Sequence, residues 1–95
     1  MSTTLQTEQH QVDCIFIGKK PIMSYVMPAM SRLAQNGSVT LRARGSLVSR
    51  AVDVAEIIKR LANCSVMDVK IGTEKLGETG SLRNVSTISI TLRSA

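Results

Sequence analysis

The chain has 95 residues and a mass of 10.3 kDa, which leaves room for one core and excludes a second. A hydrophobic share of 43% with slightly positive mean hydropathy excludes intrinsic disorder. Twelve Lys and Arg against seven Asp and Glu give a net charge of +5 and point to an anionic partner, while an aromatic content of 2%, Phe16 and Tyr25 only, argues against a row of base-stacking rings.

Residues 1–11 are polar and read as a tail, with residues 12–95 as the single folded domain. The tail holds His10, the chain's one histidine, a poor place for a catalytic base, and it lacks the apolar segment of a secretory signal. Val12–Ile17 is a near-continuous apolar run, as expected of a strand buried on both faces. Gly18–Lys19–Lys20–Pro21 breaks it, and Pro21 suits the first turn of a helix.

Pro21–Asn36 carries Ile22, Val26, Ala29, Met30 and Leu33 at helical spacing, and Gly37 is its stop. Pro28 removes the hydrogen bond to the Ser24 carbonyl and is expected to kink this helix. Ser38–Arg44 alternates, with Val39, Leu41 and Ala43 on one face and Thr40, Arg42 and Arg44 on the other. Ser46 is placed to cap a second helix over Leu47–Asn63, whose buried stripe is Leu47, Ala51, Val54, Ala55, Ile58 and Leu61. Val66–Ile71 is a third strand with Met67, Val69 and Ile71 inward; Thr87–Arg93 is a fourth with Ile88, Ile90 and Leu92 inward.

The intervening Gly72–Ser86 is too long for a tight turn. An arm of about six residues each way would project ~20 Å, with little core to bury in, so it binds something or is disordered. The order β-α-β-α-β-β gives an α/β two-layer sandwich with a long protruding hairpin.

Charge is unevenly placed. Between Cys14 and Val52 there is no acid, while Lys19, Lys20, Arg32, Arg42, Arg44 and Arg50 all fall inside. Lys19 and Lys20 sit where a strand hands over to a helix N-terminus, a phosphate-binding corner or else a turn with solvated lysines. The spacing is not that of a nucleotide-wrapping Gly-rich loop. Arg42, Arg44 and Arg50 cluster as a phosphodiester clamp or as charges guarding a sheet edge. Lys75 and Arg83 flank the hairpin, offset by Glu74 and Glu78, and suit an arm reaching into a minor groove.

Catalysis, metal and cofactor find no support. Cys14 and Cys64 read as free, buried, inert thiols in a reducing compartment. Two distant cysteines and a tail histidine make no zinc site. Asp53 and Glu56 are expected to pair with Arg50, Lys59 and Arg60 rather than with each other's proton. No apolar run approaches the ~18 residues of a membrane span.

Three stretches, IGKKPIMSYV at Ile17–Val26, LRARGSLVSRAVDVAEII at Leu41–Ile58 and NVSTISITLR at Asn84–Arg93, resemble the archaeal Alba family of chromatin and RNA-binding proteins. With the element order, the resemblance covers everything but the tail. It implies an Alba-like fold, similar to the C-terminal domain of bacterial translation initiation factor three. It implies a homodimer that lays its basic body along duplex DNA, condenses the chromosome in the cytoplasm and puts its arms in the minor groove. RNA is the other implied partner, in a ribonucleoprotein or as a stabilised message; a small phosphate-ligand or enzymatic domain is a remote third reading.

By position, the resemblance makes Lys19 and Lys20 the central phosphate contacts, joined by Arg42 and Arg44. Lys19 matches the acetylated lysine of the family, which brings in a protein deacetylase as an implied partner. Ser46 stands where many relatives have a basic residue, and Ala62 where many have a bulky aromatic between neighbouring dimers. The first departure implies a weaker grip, the second a weaker tendency to form cooperative fibres.

Overall fold

A computed structural model describes residues 14–95; the tail, His10, Val12 and Asp13 lie outside the described residues. In chain order the elements are β1 (Cys14–Phe16), α1 (Met23–Asn36), β2 (Ser38–Arg44), a single 3₁₀ turn (Gly45–Leu47), α2 (Val48–Leu61), β3 (Cys64–Leu76) and β4 (Arg83–Ser94). They form one four-stranded sheet in the order β1-β2-β4-β3, with β1 parallel to β2 and the other pairs antiparallel. Both helices lie against one face.

The core follows from two periodicities meeting. Alternation in β2 and β4 turns Val39, Leu41, Ala43, Ile90 and Leu92 to the helical face, and the helical spacing of Val26, Ala29, Leu33, Ala51, Val54, Ala55 and Ile58 meets them. Leu41, Ile58, Leu92, Val26, Val39 and Val54 are all but sealed from solvent. Each such side chain contributes ~1.5–3 kcal/mol by leaving water.

Helix α1 runs unbroken past Pro28, because the buried face of Val26, Ala29 and Leu33 holds it across the missing bond. It ends where Gly37 takes φ +82°, a left-handed turn, and gives its N–H to the Leu33 carbonyl at 2.8 Å. Ser94 returns to the same corner, its N–H on the Gly37 carbonyl at 2.9 Å, and so ties the last strand to the helix end.

Several expectations need correction. The first strand is not buried on both faces: β1 is a short edge strand, and Phe16 is 68% exposed on the side the helices leave open. Ser46 does not cap α2, whose first turn is entered through the 3₁₀ turn with no side-chain cap. Leu61 is exposed at the end of its helix. Asp53 and Glu56 form no ion pair; among the described residues Arg44 pairs with Glu74 and Lys70 with Asp68. Cys14 and Cys64 are free but only half-buried.

The third strand departs furthest. It runs to Leu76, and Met67 is a bulge at which the pairing shifts from Val66–Leu92 to Asp68–Thr91. The extra residue keeps Val69 and Ile71 opposite Ile90 and Ile88, on the helical side as expected. They are nevertheless exposed, as is Met67, because β3 is the outer strand and no helix reaches over it.

Candidate nucleic-acid interface

Parallel pairing of β1 and β2 brings their C-terminal ends to one end of the sheet. The Gly18–Pro21 loop leaves β1 there, and Arg44 ends β2 there. The last rung between β2 and β4 is Arg44–Thr87, and from that point β3 and β4 continue alone through Thr73–Ser86, Glu74–Val85, Lys75–Asn84 and Leu76–Arg83. Four further rungs extend the ribbon ~13 Å before its Gly77–Leu82 turn, so the long segment is a paired hairpin and shorter than the sequence suggests.

The loop is held from both sides. The Lys20 N–H donates to the Tyr25 hydroxyl oxygen at 3.0 Å, one turn into α1. Arg50, one turn into α2, donates from Nε to the Gly18 carbonyl at 2.9 Å and from Nη2 to the Lys20 carbonyl. Gly18 permits the approach: a Cβ there would lie 2.9 Å from the Tyr25 hydroxyl. The backbone is therefore clamped while the Lys19 and Lys20 side chains stand in solvent beside the first turn of α1.

The structure brings some of the seven sequence-derived residues together and separates others. Lys19, Lys20 and Arg44 share one end of the molecule, with Arg42 one alternate position back along β2. Arg42 lies with its guanidinium carbon 5.5 Å from the centre of the Phe16 ring. Arg44 meets Glu74 of the arm at 3.1 Å, with both side chains about half exposed, a contact worth little in energy that aims the arginine along the hairpin. Arg50 differs from the rest, since its donors face the loop carbonyls. On the arm, Lys75 pairs opposite Asn84 and Arg83 opposite Leu76, so by strand alternation they leave opposite faces of the ribbon. Only Arg83 shares the face of Arg42 and Arg44.

Sequence reasoning missed Tyr25 and the clamping geometry of Arg50, because both act on backbone atoms of a loop distant in the sequence. It also missed Lys70, whose register opposite Ser89 puts it on the face of Arg42. Among the described residues no cluster of His, Cys, Asp and Glu could hold a metal ion. No helix of the described residues is long and apolar enough to cross a membrane.

The Alba family model matches residues 14–73, the stretch from β1 through the first half of the hairpin. The chain belongs to the Alba family. The DNA/RNA-binding protein Alba of Nitrosopumilus maritimus is 49% identical over 85 residues, covering 85% of this chain and 90% of the relative. DNA/RNA-binding protein Alba 1 of Archaeoglobus fulgidus is 41% identical over 81 residues, or 82% of this chain and 91% of that protein. Among solved structures, Alba from Thermoplasma volcanium superposes with a TM-score of 0.77 at 37% identity, covering 84% of this chain and 98% of that one. ALBA1 from Trypanosoma brucei, at 20% identity and a TM-score of 0.73 over 87% of this chain and 69% of its own, shares the fold. The Alba-like β-α-β-α-β-β architecture is thus the fold of this chain.

Proposed function

We propose that this Alba-family chain is a sequence-nonspecific, double-stranded DNA-binding protein of chromatin, not an enzyme, that holds the phosphate backbone as a homodimer and also binds RNA. One observation carries the reading: the clamped Lys19–Lys20 loop, Arg44 and the root of the hairpin all gather at one end of the sheet, with Arg42 close behind, and on β3 the carboxylates of that face are Glu74, paired with Arg44, and Asp68, paired with Lys70. Cations on a clamped backbone beside a helix N-terminus hold phosphates without reading bases. The names of the relatives, DNA/RNA-binding proteins, support the polymer class. The arms, with Arg83 on the cationic face, are suited to follow a minor groove. Lys19 is the proposed acetylation site and target of a deacetylase, since acetylation removes one phosphate-binding charge. The proposed location is the chromosome in the cytoplasm.

Dimerisation has support of a different kind. Leu61, Val66, Met67, Val69 and Ile71 form an exposed apolar group around the uncovered edge strand, on the side of the sheet away from Arg42. Covering it with a second copy would place two cationic ends in one particle. Ile71 is 82% exposed, so Ile71→Asp should leave the fold intact and convert the dimer to monomer in sedimentation.

A salt titration against a random-sequence duplex tests the main reading. The slope of log K against log salt should be about −4 or steeper for the dimer and the same for an unrelated duplex, at roughly −0.9 per neutralised phosphate. Replacing Lys19 and Lys20 by Ala should make it shallower by ~1.8 per protomer. A flat wild-type slope would overturn the reading. Competition between duplex and structured RNA ranks the two polymers.

A further inference from the structure

The open face of the sheet carries an exposed ring, Phe16, that phosphate binding does not use. One rung runs across all four strands, Phe16 on β1 opposite Arg42 on β2, opposite Ser89 on β4, opposite Lys70 on β3. At ~4.8 Å between strands the row spans ~14 Å. Its middle is low, because Ser89 is small and the next rung holds Thr87 and Gly72. A groove of about 750 Å³ results, lined by Phe16, Arg42, Arg44, Lys70, Glu74 and Ser89 among others.

Phe16 is exposed beside charges and hydroxyls on the open face, whereas Val69 and Ile71 alternate to the other face, although Ile71 also borders the groove, as do Ile17, Ala43, Leu47 and Ile88. A surface made for another protein's core would continue in apolar side chains. Here the ring is followed by a guanidinium 5.5 Å from its centre and then by a lysine, with three cations against the Glu74 carboxylate in the groove and the Asp68 carboxylate at its border, 3.8 Å from Lys70 and about half exposed. A planar apolar ring joined to cations matches a ligand that is itself a planar ring joined to anions.

Resting on the nucleic-acid reading above, we propose that this groove is a nucleobase subsite for single-stranded nucleic acid. An unpaired base stacks on Phe16, and the flanking phosphates meet Arg42 and Lys70. Arg42 serves twice, since its guanidinium plane also offers a stacking surface. Base pairs in an intact duplex present no free ring face there, so the subsite acts on unpaired strands alone. The Ser89 and Thr87 hydroxyls on the groove floor supply hydrogen bonds to sugar or base edges.

The test compares wild type and Phe16→Ala on four probes: a random-sequence duplex, an unstructured adenine-rich RNA 12-mer, the same DNA sequence, and an abasic DNA 12-mer of equal charge. Wild type should bind the single strands with bases roughly 5- to 150-fold more tightly than the abasic one, the range of one base–aromatic stack, and Phe16→Ala should erase that preference. Duplex affinity and its salt slope should not change. The chain has no Trp, so Phe16→Trp supplies a unique fluorophore that an adenine-rich strand should quench and the abasic strand should not. Equal binding of abasic and base-bearing strands by wild type, with duplex binding intact, overturns this subsite and leaves the phosphate reading standing. Loss of binding to every probe, duplex included, would overturn the parent reading instead. A Phe16→Ala protein that sediments as a monomer would make this face an interface between copies and also overturn the proposal. The RNA and DNA arms rank the two sources of strand.

Discussion

Replacing Arg50 by Lys separates two roles for a basic residue at the loop. As a phosphate contact Arg50 would act through its charge, which Lys keeps. As a clamp it acts through geometry, Nε on the Gly18 carbonyl and Nη2 on the Lys20 carbonyl, and one ammonium cannot reproduce that fork. Hydrogen bonds from a charged donor contribute ~1.5–3 kcal/mol each, and partial exposure of Arg50 reduces the pair to ~1.5–2 kcal/mol together. Because the loop can open locally, most of this appears in binding rather than in global unfolding. Affinity for a random-sequence duplex, followed by fluorescence anisotropy, should fall about tenfold in Arg50→Lys, the equivalent of ~1.4 kcal/mol for reordering the loop. The slope of log K against log salt should stay as in wild type. Arg50→Gln should lose affinity with the same near-constant slope. If Arg50→Lys instead binds like wild type while Arg50→Gln flattens the slope by ~0.9 per protomer, Arg50 is a phosphate contact and the clamp argument fails.

Three other perturbations follow from the same packing. Gly18→Ala forces a Cβ to 2.9 Å from the Tyr25 hydroxyl and should cost ~1–3 kcal/mol in denaturant unfolding; in a Tyr25→Phe background, which itself loses the Lys20 N–H acceptor, the nearest ring carbon is 4.0 Å away and the same substitution should cost much less, whereas strictly additive losses would refute the clash. Leu41→Ala empties a fully buried site and should cost ~2–5 kcal/mol by urea unfolding; a loss under ~1 kcal/mol would mean the core collapses to fill it. Burial pushes the Cys64 thiol pKa up, partly countered by Lys59, so its neutral form is the one the fold favours. That contribution is full below the ordinary thiol pKa and is lost as pH rises through the raised one; Cys64→Ala should therefore flatten the alkaline decline in stability, and an unchanged decline would refute the assignment.

What was legible in the sequence was whatever depends on local periodicity. Val39, Leu41 and Ala43 alternate against Thr40, Arg42 and Arg44, and the strand bounds Ser38–Arg44 follow from that. The stripes of α1 and α2 are legible in the same way. Position in the sheet was not. Whether an apolar strand residue is buried depends on what covers it, and Phe16 and Ile71 are exposed because β1 and β3 occupy the two edges. The bulge at Met67 hides in a run whose alternation looks regular, since shifting one residue exchanges faces without changing composition.

The same distinction explains the site. Exposed cations announce themselves by type, so Lys19, Lys20, Arg42 and Arg44 could be singled out by charge placement. Which cation holds a ligand and which holds the protein is decided by partners far away in the chain. Arg50 reaches back to Gly18 and Lys20, while Arg44 reaches forward to Glu74. Both contacts join segments that the parallel β1–β2 pairing and the extended hairpin bring to one end of the sheet. A loop whose carbonyls are tied by an arginine and whose amide is tied by a tyrosine needs little ordering when a phosphate arrives. In the proposed reading, two lysines on it would therefore add their charge to binding with less of the entropy cost that a mobile loop would impose. Preorganisation, rather than the number of cations, is what this family member has to set against the absence of a basic residue at Ser46.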